Sequence, residues 1–247
     1  DTERELIWSV TGSLVRNKDK IIELSEAMKE ANATLLETGG ATPNKIWQEG
    51  DSQNAIYAVR SLGIDPSNGR ELFLKKNGEV TYTWDANDRV FCGVDQPDYR
   101  GNINTMFMWK DLSVNLSFGY EWGGQQYNST LISRVENADK KYNVDRRVYE
   151  DRWKEPGDRT FFKGINETTA TQATSRFVQD EATFTCQNLN VTYDLKGNKW
   201  LKRNLGIQTL TLKGDIADLF RISTIKQERG TSYPFSRQFS FTLSAMF

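Results

Sequence analysis

No histidine occurs in the 247 residues, so a His-based catalytic triad and the commonest metal ligand are both missing. Cysteine is nearly as scarce: Cys92 and Cys186 lie far apart and match no metal-ligand spacing. Whether they bond is left open. No run of about 18 apolar residues is present, which excludes a transmembrane helix. Charge of one sign is lacking too, with 32 Lys plus Arg against 33 Asp plus Glu, and nothing marks a nucleic-acid binder. The mean hydropathy of −0.64 still admits a membrane β-barrel, because only alternate residues of its strands need be apolar. A secretory leader is also missing, since DTERELIW opens on charge and then a strand. A secreted barrel carries a leader, so Asp1 is expected not to be the natural start.

Aromatics, by contrast, are plentiful at 12%, which suits interfacial girdles, sugar-stacking surfaces or an ordinary β-rich core. The last stretch uses them most regularly. In PFSRQFSFTLSAMF, Phe235, Phe239, Phe241, Leu243, Ala245 and Phe247 fall on one face, broken only by Arg237. Ser236, Gln238, Ser240, Thr242 and Ser244 fall on the other. Side chains alternate across a strand, so this segment has an apolar face and a hydroxylated one. A strand between lipid and a wet lumen needs that pattern over about 9–11 residues.

The same alternation recurs upstream. Leu6, Trp8, Val10, Gly12 and Leu14 alternate with Ile7, Ser9, Thr11, Ser13 and Val15. Ile103 to Trp109 and Leu112 to Trp122 form the cleanest pair, joined by a tight Lys110-Asp111 turn. From Ala182 the phase holds to Cys186 and then slips, with Leu189, Val191, Tyr193 and Leu195 taking the apolar face. A bulge near Gln187-Asn188 is expected there. Six strands follow, at about 5–15, 100–109, 112–123, 181–195, 204–217 and 234–247. Between them, long loops at about 17–99, 124–180 and 224–233 alternate with short turns, as barrels with one-sided loops require. Ile21, Leu24, Met28 and Ala31 predict a short helix over 20–31. Asp65-Pro66-Ser67-Asn68-Gly69 reads as a turn, and Lys76-Asn77-Gly78 as a hairpin turn between ELFLK and VTYTW. The five Asn-x-Ser/Thr triplets read as a by-product of an Asn- and Thr-rich composition. Six strands cannot close around a lumen, and open edges are not tolerated in hydrocarbon. The fold class expected is therefore all-β, a piece of a larger transmembrane antiparallel barrel.

Several stretches closely resemble one family in order along the chain. They are NKDKI, SLGIDPSNGRELFLKKNG, PDYRGNINTMFMWKDLSVNLSF, RWKEPGD, TSRFVQDEATFTCQNLNVTYDL and GTSYPFSRQFSFTLSAMF. The chain resembles the C-terminal quarter of the SusC/RagA family of TonB-dependent outer-membrane transporters. Asp215 to Phe220 departs from the family's more usual Gly-Gln-Asn-Leu-Phe-like run, which touches local packing only. The resemblance implies the last six strands of a 22-stranded barrel with a plugged lumen. It also implies a plug domain and TonB contact supplied by parts outside this chain, and a SusD-like lipoprotein over the outer loops. Active import of glycans, or in some members peptides, is the implied activity. The implied location is the outer membrane of a Gram-negative bacterium, among its lipids. A passive porin-like or purely structural barrel segment is the alternative. A soluble β-sandwich lectin would need inward faces rich in Leu, Ile and Val, and those of 112–123 and 234–247 carry Ser, Asn and Thr.

No catalytic constellation, cofactor or metal site is expected. Glu121, Asp180 and Glu181 form no acid/base pair, Gly123-Gly124 lacks the lysine and helix of a phosphate loop, and no EF-hand spacing occurs. Ligand contact is expected instead at Arg100, Asn102 and Glu121, inward-facing near the outer strand ends, and at Gln125, Gln126, Tyr127 and Asn128 beyond Trp122. The same residues would equally serve to solvate a polar lumen or pack on the plug. Tyr82, Trp84 and Phe91 are expected either to stack glycan or to dock the lipoprotein, with docking favoured. Phe239, Phe241 and Phe247 are expected to form a signal for the barrel assembly machinery, as the resemblance also implies.

Overall fold

The computed structural model describes residues 6–139, 141–196, 198–226 and 237–247. Among these residues ten strands are present: β1 (Leu6–Arg16), β2 (Ala55–Ile64), β3 (Glu71–Leu74), β4 (Val80–Thr81), β5 (Arg89–Val94), β6 (Tyr99–Trp109), β7 (Leu112–Tyr127), β8 (Val178–Lys196), β9 (Thr209–Ser223) and β10 (Gln238–Met246). The chain divides into two compact units. One comprises Asp1–Asn17, Asp98–Trp122 and Glu181–Phe247, and the other Lys18–Pro97 and Gly123–Asp180.

The first unit is built on one six-stranded sheet in the order β1-β6-β7-β8-β9-β10. Its ladders align like faces. Leu6, Trp8 and Gly12 of β1 lie opposite Trp109, Phe107 and Ile103, while Ser9, Thr11 and Ser13 lie opposite Met106, Asn104 and Asn102. At the other edge Phe239 meets Ile216 and Leu243 meets Leu212, while Ser240 meets Asp215. On the apolar face Phe118 and Phe184 stack at 5.4 Å, and Trp122 stacks on Tyr99 at 5.3 Å and on Tyr120 at 5.4 Å. The polar face is laced by Ser117 donating to Asn104 at 2.5 Å and Asn190 to Asp215 at 2.6 Å. Among the described residues β1 and β10 each have one neighbour only. The antiparallel all-β architecture is thus the expected one, and among the described residues the sheet is open.

The expected phase slip is present, with its additional residue on the partner strand. Cys186 pairs with Phe220 and Asn188 with Ala217, so β9 carries one residue more across this step, and Asp218 has a φ of 51°. Gln187 and Asn188, consecutive, both line hollows of the polar face.

Two expectations are corrected. The strand placed at 204–217 begins in a helix, Lys199–Leu205, whose start is capped by the Asn198 side chain accepting from Trp200 N and Leu201 N. Gly206 closes that helix in the left-handed region at φ 71°, so β9 starts only at Thr209. The helix placed at 20–31 runs over Glu26–Glu37, because the Ser25 side chain accepts from Met28 N and sets its start. The start of the first strand at residue 5, most of the loop at 224–233 and residues 234–236 of the closing stretch lie outside the described residues. Both cysteines are free.

The second unit has its own four-stranded sheet, β4-β3-β2-β5, with Lys76-Asn77-Gly78 turning the β3–β4 pair. It holds most of the buried apolar side chains. Phe177, Ile132, Val135 and Val148 are fully enclosed and form one cluster with Leu131 and Phe162.

Candidate functional sites

Within the sheet, cross-strand register brings Arg100 opposite Glu121 and Asn102 opposite Gly119. Three of the seven expected contact residues, Arg100, Asn102 and Glu121, line one hollow of about 270 Å³ with Thr183, Thr185 and Gln187. Gly119 keeps it open, since a Cβ there would stand 2.4 Å from Gln187 Nε2. The hollow offers both charges and several amide and hydroxyl groups, the equipment for orienting a polar ligand.

The cluster expected beyond Trp122 is used differently. Gln125 donates to Asp180 at 3.1 Å and accepts from Val94 N at 3.1 Å. Tyr127 donates its hydroxyl to Ala41 O at 2.8 Å and packs edge-on against Phe177. Asn128 caps the next turn, accepting from Leu131 N, and donates to Gln179. Three of the four thus have internal duties, and Gln126 is exposed.

In the second unit the structure separates the three expected aromatics. Phe91 lies opposite Tyr57 in the β2–β5 ladder and meets it edge-on at 6.2 Å. Tyr82 and Trp84 instead share the wall of a cleft of about 640 Å³. Tyr82 is pinned by its hydroxyl, which donates to Asp65 at 2.5 Å, and the Arg70 guanidinium sits 4.7 Å over its ring. Trp84 donates to Ala173 O at 3.0 Å and has Arg89 5.4 Å over its ring. Arg89 in turn caps the end of helix Glu26–Glu37, donating to Leu35 O, Leu36 O and Thr38 O.

Behind this cleft is a buried ionic cluster that alternation along strands could not reveal. Arg176 binds Glu71 through two hydrogen bonds, at 3.0 and 2.7 Å, and Glu136 at 2.8 Å. The three side chains are at most 5% exposed. Burial alone would lower the Arg176 pKa, but the bonds and charge of Glu71, then Glu136, outweigh it and hold the guanidinium above its ordinary value. One signal was legible: Arg176 directly precedes Phe177 at the end of a long polar loop, and an arginine beside an apolar anchor needs partners where it is buried.

No protein-family model matches the chain, and no curated protein does. Solved structures do. A chain of the RagAB peptide importer in its 'open-open' state aligns over 99% of this chain at a TM-score of 0.74 and 18% identity. A chain of the RagAB peptide transporter aligns over 88% at 0.65 and 19% identity. The 'closed-closed' state of the importer gives 87%, 0.63 and 20%. The alignments cover 27%, 24% and 24% of those longer chains in the same order, so this chain spans about a quarter of their length. Over that stretch it has their fold.

Proposed function

We propose that the chain is the C-terminal six-stranded portion of an outer-membrane, TonB-dependent importer of nutrients too large for simple porins. One observation carries this reading. Six strands with an apolar and a polar face end in two long unpaired edges, β1 and β10, and such edges must be closed by further strands when the apolar face meets lipid. The aromatic stack of Tyr99, Tyr120 and Trp122 then forms part of an interfacial girdle. The likeness to a peptide importer supports import as the task and peptides as one substrate class; glycans are the other. Arg100, Asn102, Glu121 and the exposed Gln126 are the proposed substrate contacts. The loop-built unit is proposed to lie outside the cell and to meet a SusD-like lipoprotein, with Tyr82 and Trp84 on one docking patch and Phe91 on another. No step of this task calls for catalysis or a cofactor.

Uptake by intact cells tests it. Cells carrying the full-length protein are expected to take up oligopeptides or oligosaccharides that cells lacking it do not, and collapsing the proton-motive force is expected to abolish this. Uptake indifferent to the proton-motive force would leave a passive pore.

A further inference from the structure

Lys163 is 5% exposed and faces the 640 Å³ cleft. Its ammonium donates to Thr169 O, but among the described residues no carboxylate forms an ion pair with it. The carboxylates around it make their hydrogen bonds and ion pairs with other groups. Glu71 is held by Arg176 and by Ser61 at 2.6 Å. Glu136 gives one oxygen to Arg176 and Thr171, and the other has no partner. Glu167, at the rim, accepts from Thr169 N and lies 3.7 Å from Arg70. Arg152, also buried, donates to the carbonyls of Val135, Glu136 and Lys163. In the interior, therefore, two carboxylates face three cations, and the cation left over opens on a cavity. A buried ammonium that no carboxylate contacts directly is costly unless something pairs with it.

We propose that the cleft binds a ligand carrying a carboxylate, which enters to meet Lys163 at the floor, with Arg70 at the rim. Gln172 Oε1, enclosed and without a donor, takes a hydrogen bond from the ligand's own N–H or O–H. Tyr82 and Trp84 flank its apolar part. The carboxylate comes either from a peptide C-terminus or from a uronic acid residue of a saccharide. Burial lowers the Lys163 pKa, against the pull of Glu136, Glu167 and Glu71, and a bound anion acts in the opposite sense, favouring the charged form.

The test is calorimetric titration of the full-length protein in detergent with two matched pairs, trialanine against its C-terminal amide and digalacturonate against its methyl ester. A charge-assisted bond to a buried ammonium predicts that an acid binds about tenfold or more tightly than its blocked form. Preference within the peptide pair alone assigns the peptide source, within the sugar pair alone the uronate, and within both the carboxylate itself. Lys163→Met is expected to abolish the preference and Lys163→Arg to keep it. Equal binding of acid and blocked form, or no binding of either pair, overturns the proposal, as does a preference that survives Lys163→Met. If Lys163→Met does not fold, Arg70→Gln takes its place, and a preference that it does not weaken overturns the proposal. Binding requires no transport, so failure here leaves the import reading standing, and failed uptake leaves the cleft to be judged by its own titration.

Discussion

The two units bury different things. Apart from Cys186 and Ile225, every buried apolar side chain among the described residues belongs to the loop-built unit, where Phe177, Ile132, Val135, Val148 and Val59 are at most 1% exposed. The sheet instead displays Trp8, Phe239, Phe241 and Leu243 at 61% exposure or more. Apolar area left in water forgoes roughly 25 cal/mol per Å². A chain that packs one unit so closely and leaves the other bare on two faces has folded the two for different surroundings. The loop-built unit carries its own core, sealed by ionic groups. The sheet is held by its main-chain ladders and leaves its apolar side chains uncovered.

The sharpest way to break that contrast is at Arg176. Arg176→Met leaves Glu71 and Glu136 buried without their shared cation, which is expected to cost the loop-built unit about 3–5 kcal/mol. Hydrogen exchange checks it: amides of β2 should open faster while those of β9 and β10 stay unchanged. Equal acceleration in both would show that the units do not unfold separately. Next in size is a pair of charges on opposite faces of the sheet. Leu116→Arg and Phe241→Arg are expected to cost about 2–4 kcal/mol in a lipid-refolding assay if they face the bilayer midplane. Ser117→Arg and Ser240→Arg, on the polar face, are expected to fold nearly as the parent does. Equal losses for both pairs would remove the assignment of faces.

A smaller effect is expected from glycine in the β1–β6 ladder. A Cβ on Gly101 would stand 1.9 Å from Ser13 O and 2.5 Å from the Tyr120 hydroxyl, which itself donates to Ser13 O at 2.6 Å. Gly101→Ala must shift backbone and is expected to cost about 1–3 kcal/mol. Gly12→Ala, with nothing within 4 Å, is expected to stay within about 0.5 kcal/mol. Denaturant midpoints of the two variants decide it, and similar losses would mean that the ladder does not tighten at Gly101.

These contrasts also mark what could be read from the amino acids. The sheet was legible because its rule is local: a residue's neighbour two positions on decides its face, and Leu112 to Trp122 obey that rule without interruption. The hollow at Arg100, Asn102 and Glu121 was legible for the same reason. Failures came where a capping side chain outranked the apolar period, at Ser25 and at Asn198 with Gly206. The Lys163 cleft was not legible at all. Its parts come from Gly39, from Arg70 to Trp84 and from Lys163 to Gln172, segments joined only by packing. The aromatics of VTYTWDANDRVF showed the limit of proximity in sequence, since the turn at Asp85–Asp88 sends Phe91 onto another strand.

The smallest effect on stability is expected at the chain's last residue. Phe247 lies past the end of β10 and is 76% exposed, without a stacking partner among the described residues. Phe239 and Phe241, by contrast, sit within the ladder opposite Ile216 and Gly214. Phe247→Ser therefore removes little packing, and its unfolding free energy, followed through the denaturant midpoint, should change by no more than about 0.5 kcal/mol. A bulky aromatic in such a place fits a role before closure. If the sheet is part of a barrel, as proposed, β10 keeps an unpaired edge until the completing strand arrives, and an insertion machine can read that edge by strand addition, with main-chain bonds for affinity and alternate side chains for specificity. On that argument Phe247→Ser lowers the yield of membrane-inserted protein while leaving what inserts nearly as stable as the parent. Phe241→Ser lowers both, because Phe241 also belongs to the apolar face. Yield and midpoint measured on the same two variants separate the roles. A normal yield with a lowered midpoint for Phe247→Ser would make it one more interfacial anchor and remove the assembly role.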